Sequence, residues 1–201
     1  MRRTLALVLA GTLLATAGCG GSDAPVTPDG LAGPLCSELP KGDEPGNPTA
    51  LSREPAGEAL SWITVLTTFD GALRASDLLP ELEGKQAITV LAPSDDAFAA
   101  KFSQDNLDEL MIKDKDTLRT LLRAHVVDRS LSLADLRDAG TVRTLDGTTV
   151  RVSSTDQDMA QIGDEARTVC ADYRIANGRV HVINHVLGDL PTTAGQGDSG
   201  H

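Results

Sequence analysis

An α+β fold in one domain is predicted by two observations. Apolar residues recur at helical spacing as far as His125, and beyond Gly140 the period changes to strand-like alternation around Asp146-Gly147 and Asn177-Gly178. Helices gathered before strands argue against repeating strand–helix–strand units, and 201 residues suffice for one core with flanking segments. Taken in order, Leu60, Ile63, Leu66, Phe69 and Leu73, with Val65, Leu78 and Leu79, mark helix from about Ala56. The run from Ala87 to Ala92 is short, β-branched and apolar, and closed by Pro93, which is the pattern of a buried strand. Ser94 then supplies a helix N-cap, with Asp95 and Asp96 in a first turn where the helix dipole favours negative charge. Leu107, Leu110 and Met111 mark a further helix. Leu118, Leu121, Leu122 and His125 fall at i, i+3, i+4 and i+7 on one face of another, with Arg119 and Arg123 opposite. Val142 to Val152 reads as a hairpin turning at Asp146-Gly147. Tyr173 to Val182 reads as a second, whose Asn177-Gly178 turn supplies two residues with positive φ.

The flanks differ from this body. Arg2 and Arg3 precede an apolar stretch from Leu5 to Ala17 that ends in small residues, the layout of a secretory signal peptide over residues 1–18. The stretch is shorter than the ~20 residues a membrane span needs, and no cationic stop-transfer flank follows it. Ala17-Gly18-Cys19 resembles the bacterial lipobox, which implies lipid attachment at Cys19 after cleavage. Residues 19–55 are dominated by Gly, Pro, Ser, Asp and Glu and read as a lipidated N-terminus with a flexible tether. Residues 56–191 form the domain, and 192–201 a disordered tail.

Composition narrows the function classes. The formal charge of −11 falls further when Arg2 and Arg3 are cleaved away, so nucleic acid is an improbable partner and membrane attachment must come from the lipid. Aromatics are 2% of the chain, which disfavours stacking platforms for sugars or bases. Besides Cys19 the cysteines are Cys36 and Cys170, a pair suited to a disulfide in an oxidising compartment, with metal ligation as the weaker alternative.

Three segments, in this order, resemble the fasciclin (FAS1) domain. Ile88 to Phe98, with its Ala92-Pro93-Ser94 turn and capped helix ending in Ala97-Phe98, is similar to the family's first signature. Leu121 to Val127 looks like the central histidine motif around His125, and Gly178 to Leu187 like the second signature. The resemblance covers about residues 57–191 and implies a β-sandwich or wedge packed with a helical layer, in a non-enzymatic interaction protein without a cofactor. Thr168-Val169-Cys170-Ala171, with a partner cysteine ahead of the domain, resembles more closely the secreted and lipid-anchored fasciclin antigens of actinobacteria. The resemblance thus implies a monomer on the extracytoplasmic face of the cell membrane, or shed from it, that contacts an extracellular or envelope protein. Ala124 replaces a tyrosine common in the family and linked to integrin recognition in animal members, so integrin binding does not transfer.

Other chemistry is weaker. His125 lies on an apolar face and reads as a neutral imidazole hydrogen-bonded in the core. His181 and His185 share one side in either strand or helix, yet no second pair supplies the remaining ligands a zinc ion needs. Adjacent Asp95 and Asp96 point different ways in a helix, and capping accounts for them. Asp156, Asp158, Asp164 and Glu165 match no EF-hand order and read as loop acids. Gly197-Asp198-Ser199-Gly200 echoes a protease nucleophile sequence but lies in the tail beside His201. No catalytic residue is assigned. Against protein contact stand two other classes: carriage of a small apolar ligand between helices and sheet, and a hydrolase, for which nucleophile and base are missing.

Overall fold

The structure, a computed structural model, describes residues 30–155 and 159–195. The signal peptide expected over residues 1–18, Cys19, Asp156, Asp158 and the segment from Gly197 to His201 lie outside the described residues. Order begins earlier than the composition of the leader implies. A 3₁₀ turn at Pro34–Glu38 and helix α1 (Pro48–Leu51) deliver Leu31, Cys36, Leu39 and Leu51 to the core, none more than 3% exposed. Ala32 also pairs with Ala171 through backbone N–H···O bonds of 3.3 and 2.8 Å. The flexible tether over 19–55 is thus corrected from Gly30 onward: four anchors at irregular spacing carry no periodic signal, yet their burial is enough to dock the segment. The tail is corrected at its start as well. Thr193 donates its N–H to the Lys101 carbonyl (2.8 Å), and its Oγ1 accepts from the Ser103 N–H (2.9 Å).

The helical layer comprises α2 (Ala56–Ser61), α3 (Thr67–Ala75), α4 (Leu79–Glu83), α5 (Asp95–Lys101), α6 (Gln104–Ile112), α7 (Lys115–Arg123) and α8 (Leu133–Ala139). The apolar stripe from Leu60 to Leu79 is divided among α2, α3 and α4 by a 3₁₀ turn at Thr64–Leu66 and a left-handed Asp77 (φ 55°). Ser94 caps α5, its Oγ accepting from the Ala97 N–H at 3.2 Å. The neighbouring Asp95 reaches across to accept from the Thr68 N–H (2.7 Å), which satisfies an orphan donor in the first turn of α3.

The described residues also form seven strands: β1 (Ile88–Pro93), β2 (Val126–Val127), β3 (Thr141–Arg143), β4 (Thr149–Ser154), β5 (Ala160–Ile162), β6 (Ala166–Ile175) and β7 (Gly178–Ile183). They form one sheet in the order β2-β1-β7-β6-β5-β4-β3, parallel between β1 and β7 and antiparallel elsewhere. Its two edges meet where Val127 bridges Thr144 and the Leu145 N–H donates to the Val126 carbonyl (2.8 Å), so the sheet curls into a wedge. β1 is buried on both faces. Ile88, Val90 and Ala92 face the helices in a core with Val180 and Val182, while Leu91 joins Val142, Val152, Ile162 and Ile183 inside the curl. Double-sided burial explains why this strand reads as a continuous apolar run and not an alternating one.

The second hairpin turns differently from expectation. Ile175 pairs with Gly178, which makes Ala176-Asn177 the turn, and positive φ occurs at neither Asn177 nor Gly178. Gly178 is needed for another reason: a Cβ there would lie 2.0 Å from the Ile88 carbonyl oxygen, where β7 runs against β1. Asn177 instead ties the turn to the end of α4, its Nδ2 donating to the carbonyls of Leu82 (2.9 Å) and Lys85 (3.0 Å).

Candidate functional site

The apolar stripe of α7 continues into the turn after Arg123 and carries His125 to full burial. Its Nδ1 lies 2.9 Å from the Leu121 carbonyl oxygen, and its Nε2 accepts from the Leu187 N–H at 2.8 Å. A carbonyl only accepts and an amide N–H only donates, so the proton sits on Nδ1 and the ring is neutral. Burial pushes the pKa down from 6.5 to about 4, outweighing the Leu121 hydrogen bond and the more distant Asp146 carboxylate. The ring of Phe69 stands 6.0 Å from the imidazole, Phe98 stands 6.5 Å from Phe69, and Phe102 stands 6.3 Å from Phe98. Pro93 pairs with Ile183, whose carbonyl accepts from the Ser94 N–H (3.0 Å). Pro93, Ser94, Phe98 and His125 therefore gather with the end of the second signature around one aromatic cluster.

His181 does the same work on the other side of the sheet with the opposite tautomer. It is fully buried, its Nε2–H donates to the Leu131 carbonyl (2.9 Å), and its Nδ1 accepts from the Asp172 N–H (3.2 Å). Its pKa too is pushed down by burial. Asp172 sits in a bulge of β6 at φ 73°, and its Oδ1 accepts from the Leu133 N–H and from Arg179, both at 3.1 Å. The sequence reading missed this role. His185 falls beyond the end of β7 and is exposed, so the expectation that the two histidines share a side is corrected: strand periodicity stops at Ile183. Both ring nitrogens of each buried histidine are engaged by backbone groups, which leaves neither ring a lone pair for a substrate proton or a metal ion.

Cys36 and Cys170 form a disulfide with Cα atoms 5.0 Å apart, across a sequence separation of 134. On the surface, Glu81 of α4 binds two arginines of α7, Arg119 at 2.8 Å and Arg123 through a shorter contact. Arg119 also donates to the carbonyls of Ser76 (3.1 Å) and Asp77 (2.8 Å), and Arg123 to that of Leu145 (2.8 Å). Beyond His125, the side of α7 away from these arginines, the β3–β4 turn and residues 187–190 enclose an open groove of about 510 Å³. Among the described residues no helix is long and apolar enough to cross a membrane.

These features define a class: a single α+β module in which a helical layer packs on a curled sheet, and whose motif residues are spent on holding the backbone together. The chain belongs to the fasciclin family, since the family model described as Fasciclin domain matches residues 64–190. Protein sll1483 of Synechocystis sp. is 31% identical over 121 residues, 60% of this chain and 66% of that protein. Mouse Stabilin-1 is 35% identical over 108 residues, and the pig transforming growth factor-beta-induced protein ig-h3 is 28% identical over 145. The matched parts span only 4% and 21% of those two animal proteins. A solved FAS1 domain pair from the insect cell adhesion molecule Fasciclin I has a TM-score of 0.50 at 24% identity, covering 62% of this chain and 45% of that one, a likeness of fold.

Proposed function

We propose that this is a non-enzymatic, lipid-anchored cell-surface protein of actinobacterial type, whose fasciclin domain makes adhesive or other protein contacts on the extracytoplasmic face of the membrane. The observation that carries the contact role is the Fasciclin domain itself, which a cell adhesion molecule shares. The Cys36–Cys170 bridge supports an oxidising compartment, because such bonds form and persist outside the cytoplasm. The anchor rests on Ala17-Gly18-Cys19. Crosslinking on intact cells with the full chain should trap an extracellular or envelope protein, and Cys19→Ser should release the protein from salt-washed membranes. A chain that yields no protein adduct sinks the contact role, and a Cys19→Ser variant that stays with the membrane sinks the anchor.

A second reading, carriage of a small ligand, changes its location. The space between helices and sheet is filled by Phe69, Phe98, Leu60, Leu73, Val90 and Val180, whereas the groove beside His125 opens at the surface.

A further inference from the structure

The groove pairs an apolar floor with an acidic rim. Leu121, Ala124, Leu187 and Leu190 line it from α7 and the segment after β7, while Asp116, Asp146 and Asp189 lie at three points around it. No basic residue is among its lining. Of the nearby cations, Arg119 and Arg123 are turned to Glu81 and to backbone carbonyls and Lys115 pairs with Asp77 at 3.6 Å, while the Arg143 guanidinium lies along the β3–β4 turn beside Gly147, at the edge of the groove. Three carboxylates with no basic residue among the lining of a concave apolar surface complement a positive charge on an apolar body.

One of the three acids is held in place. Asp146 Oδ1 accepts from Thr144 Oγ1 (2.5 Å) and the Thr148 N–H (3.1 Å), and its Oδ2 accepts from Thr148 Oγ1 (2.7 Å). Partial burial pushes its pKa up, but these donors outweigh it and keep the carboxyl below the ordinary aspartate value. A carboxylate offers about four lone-pair sites, so Oδ2 retains capacity for a further donor. The volume of about 510 Å³ falls in the range of roughly 300–1,000 Å³ common for small-molecule sites.

We propose that this groove binds an amphiphilic organic cation, its alkyl or ring body on Leu121, Ala124, Leu187 and Leu190 and its ammonium or guanidinium group among Asp116, Asp146 and Asp189. Ala124 makes room for the body, since a larger side chain at this position would occupy the floor. The site is independent of the adhesion reading: ligand binding can fail while protein crosslinks persist, and the reverse.

The test is an amide-shift titration of the full chain by NMR with octylammonium, and with octanoate as a probe of equal length and opposite charge. Saturable shifts at Leu121, Ala124, Leu187 and Leu190 are expected with octylammonium, and octanoate should bind at least about tenfold more weakly, a contrast that shrinks at high salt. Asp189→Asn, at an exposed position, should weaken octylammonium about two- to fivefold and leave octanoate no weaker. Ala124→Phe should abolish both, and if that variant fails to fold, Asp189→Asn alone decides. Equal binding of the two probes, shifts that map elsewhere, or no saturable shift would each overturn the proposal.

Discussion

Acid should weaken this protein through His125 in a calculable way. The imidazole is neutral in the fold with a pKa of about 4, against 6.5 for an unperturbed side chain. Between those values the unfolded chain binds the proton that the folded chain refuses, so stability rises with pH. The contribution of the neutral ring is fully present above about pH 6.5 and is lost as pH falls through about 4. Linkage gives a loss of about 1.4 kcal/mol at about pH 5.5 and about 3 kcal/mol at about pH 4. His125→Ala removes the ring from beside Phe69 and leaves the Leu187 N–H without its acceptor, which should cost about 2–4 kcal/mol near neutrality. Urea unfolding followed by circular dichroism, on both proteins across this pH range, isolates the histidine, because the carboxylates and His181 are common to both and cancel in the difference. The cost of the substitution should shrink by about 1.4 kcal/mol between neutrality and about pH 5.5. Parallel curves, or a cost below about 0.5 kcal/mol at neutrality, would refute the assignment of His125 as a buried neutral strut.

Two further outcomes follow from packing. Gly178→Ala should cost more than about 2 kcal/mol or prevent folding, since its Cβ would meet the Ile88 backbone at 2.0 Å, whereas Gly71→Ala in α3, with open space around the new methyl, should stabilise by about 0.5–1 kcal/mol; thermal melts of the pair separate a close approach from a helix propensity. Replacing Cys36 and Cys170 by serine should lower stability by up to about 5 kcal/mol, the idealised entropy of closing so long a loop, reduced by any structure that the unfolded chain retains. Mass mapping of the unreduced wild type should find the linked peptide, and two free thiols there would contradict the bridge.

What was legible in the sequence followed from local rules. β1, the Ser94 cap and the α7 stripe were readable because burial on both faces, a hydroxyl before a helix and a 3.6-residue period each leave a mark within a few residues. α8 was missed although it carries a capping box, Ser132 with Asp135, and ends at Gly140 with φ 65°, a pair of signals sufficient to place it. β5 and the start of β6 were missed for a different reason: β5 has only three residues, and the alternation that opens β6 breaks where Cys170 and Ala171 are both buried. Gly178 looked like a turn residue, but the demand comes from Ile88, ninety positions earlier in the chain, and no local reading could weigh it. The role of His181 was hidden in the same way, since Leu131 and the bulged Asp172 become its partners only when the wedge closes.

The docked leader changes what an anchor at Cys19 would do. A free chain over residues 19–55 could reach about 130 Å, whereas the stretch from Cys19 to Gly30 spans at most about 40 Å, so the proposed lipid would hold the domain much nearer the bilayer. Tension applied from that end would first load the Ala32–Ala171 bridge and then the Cys36–Cys170 bond, both of which lead into β6, a strand with neighbours on either side. Residues between Cys36 and the start of α2, including Leu39 and Leu51, lie behind that bond and would carry none of the load until it broke. Under the proposed anchoring and contact role, a covalent path into the middle of the sheet would keep load off the helical layer and the His125 cluster.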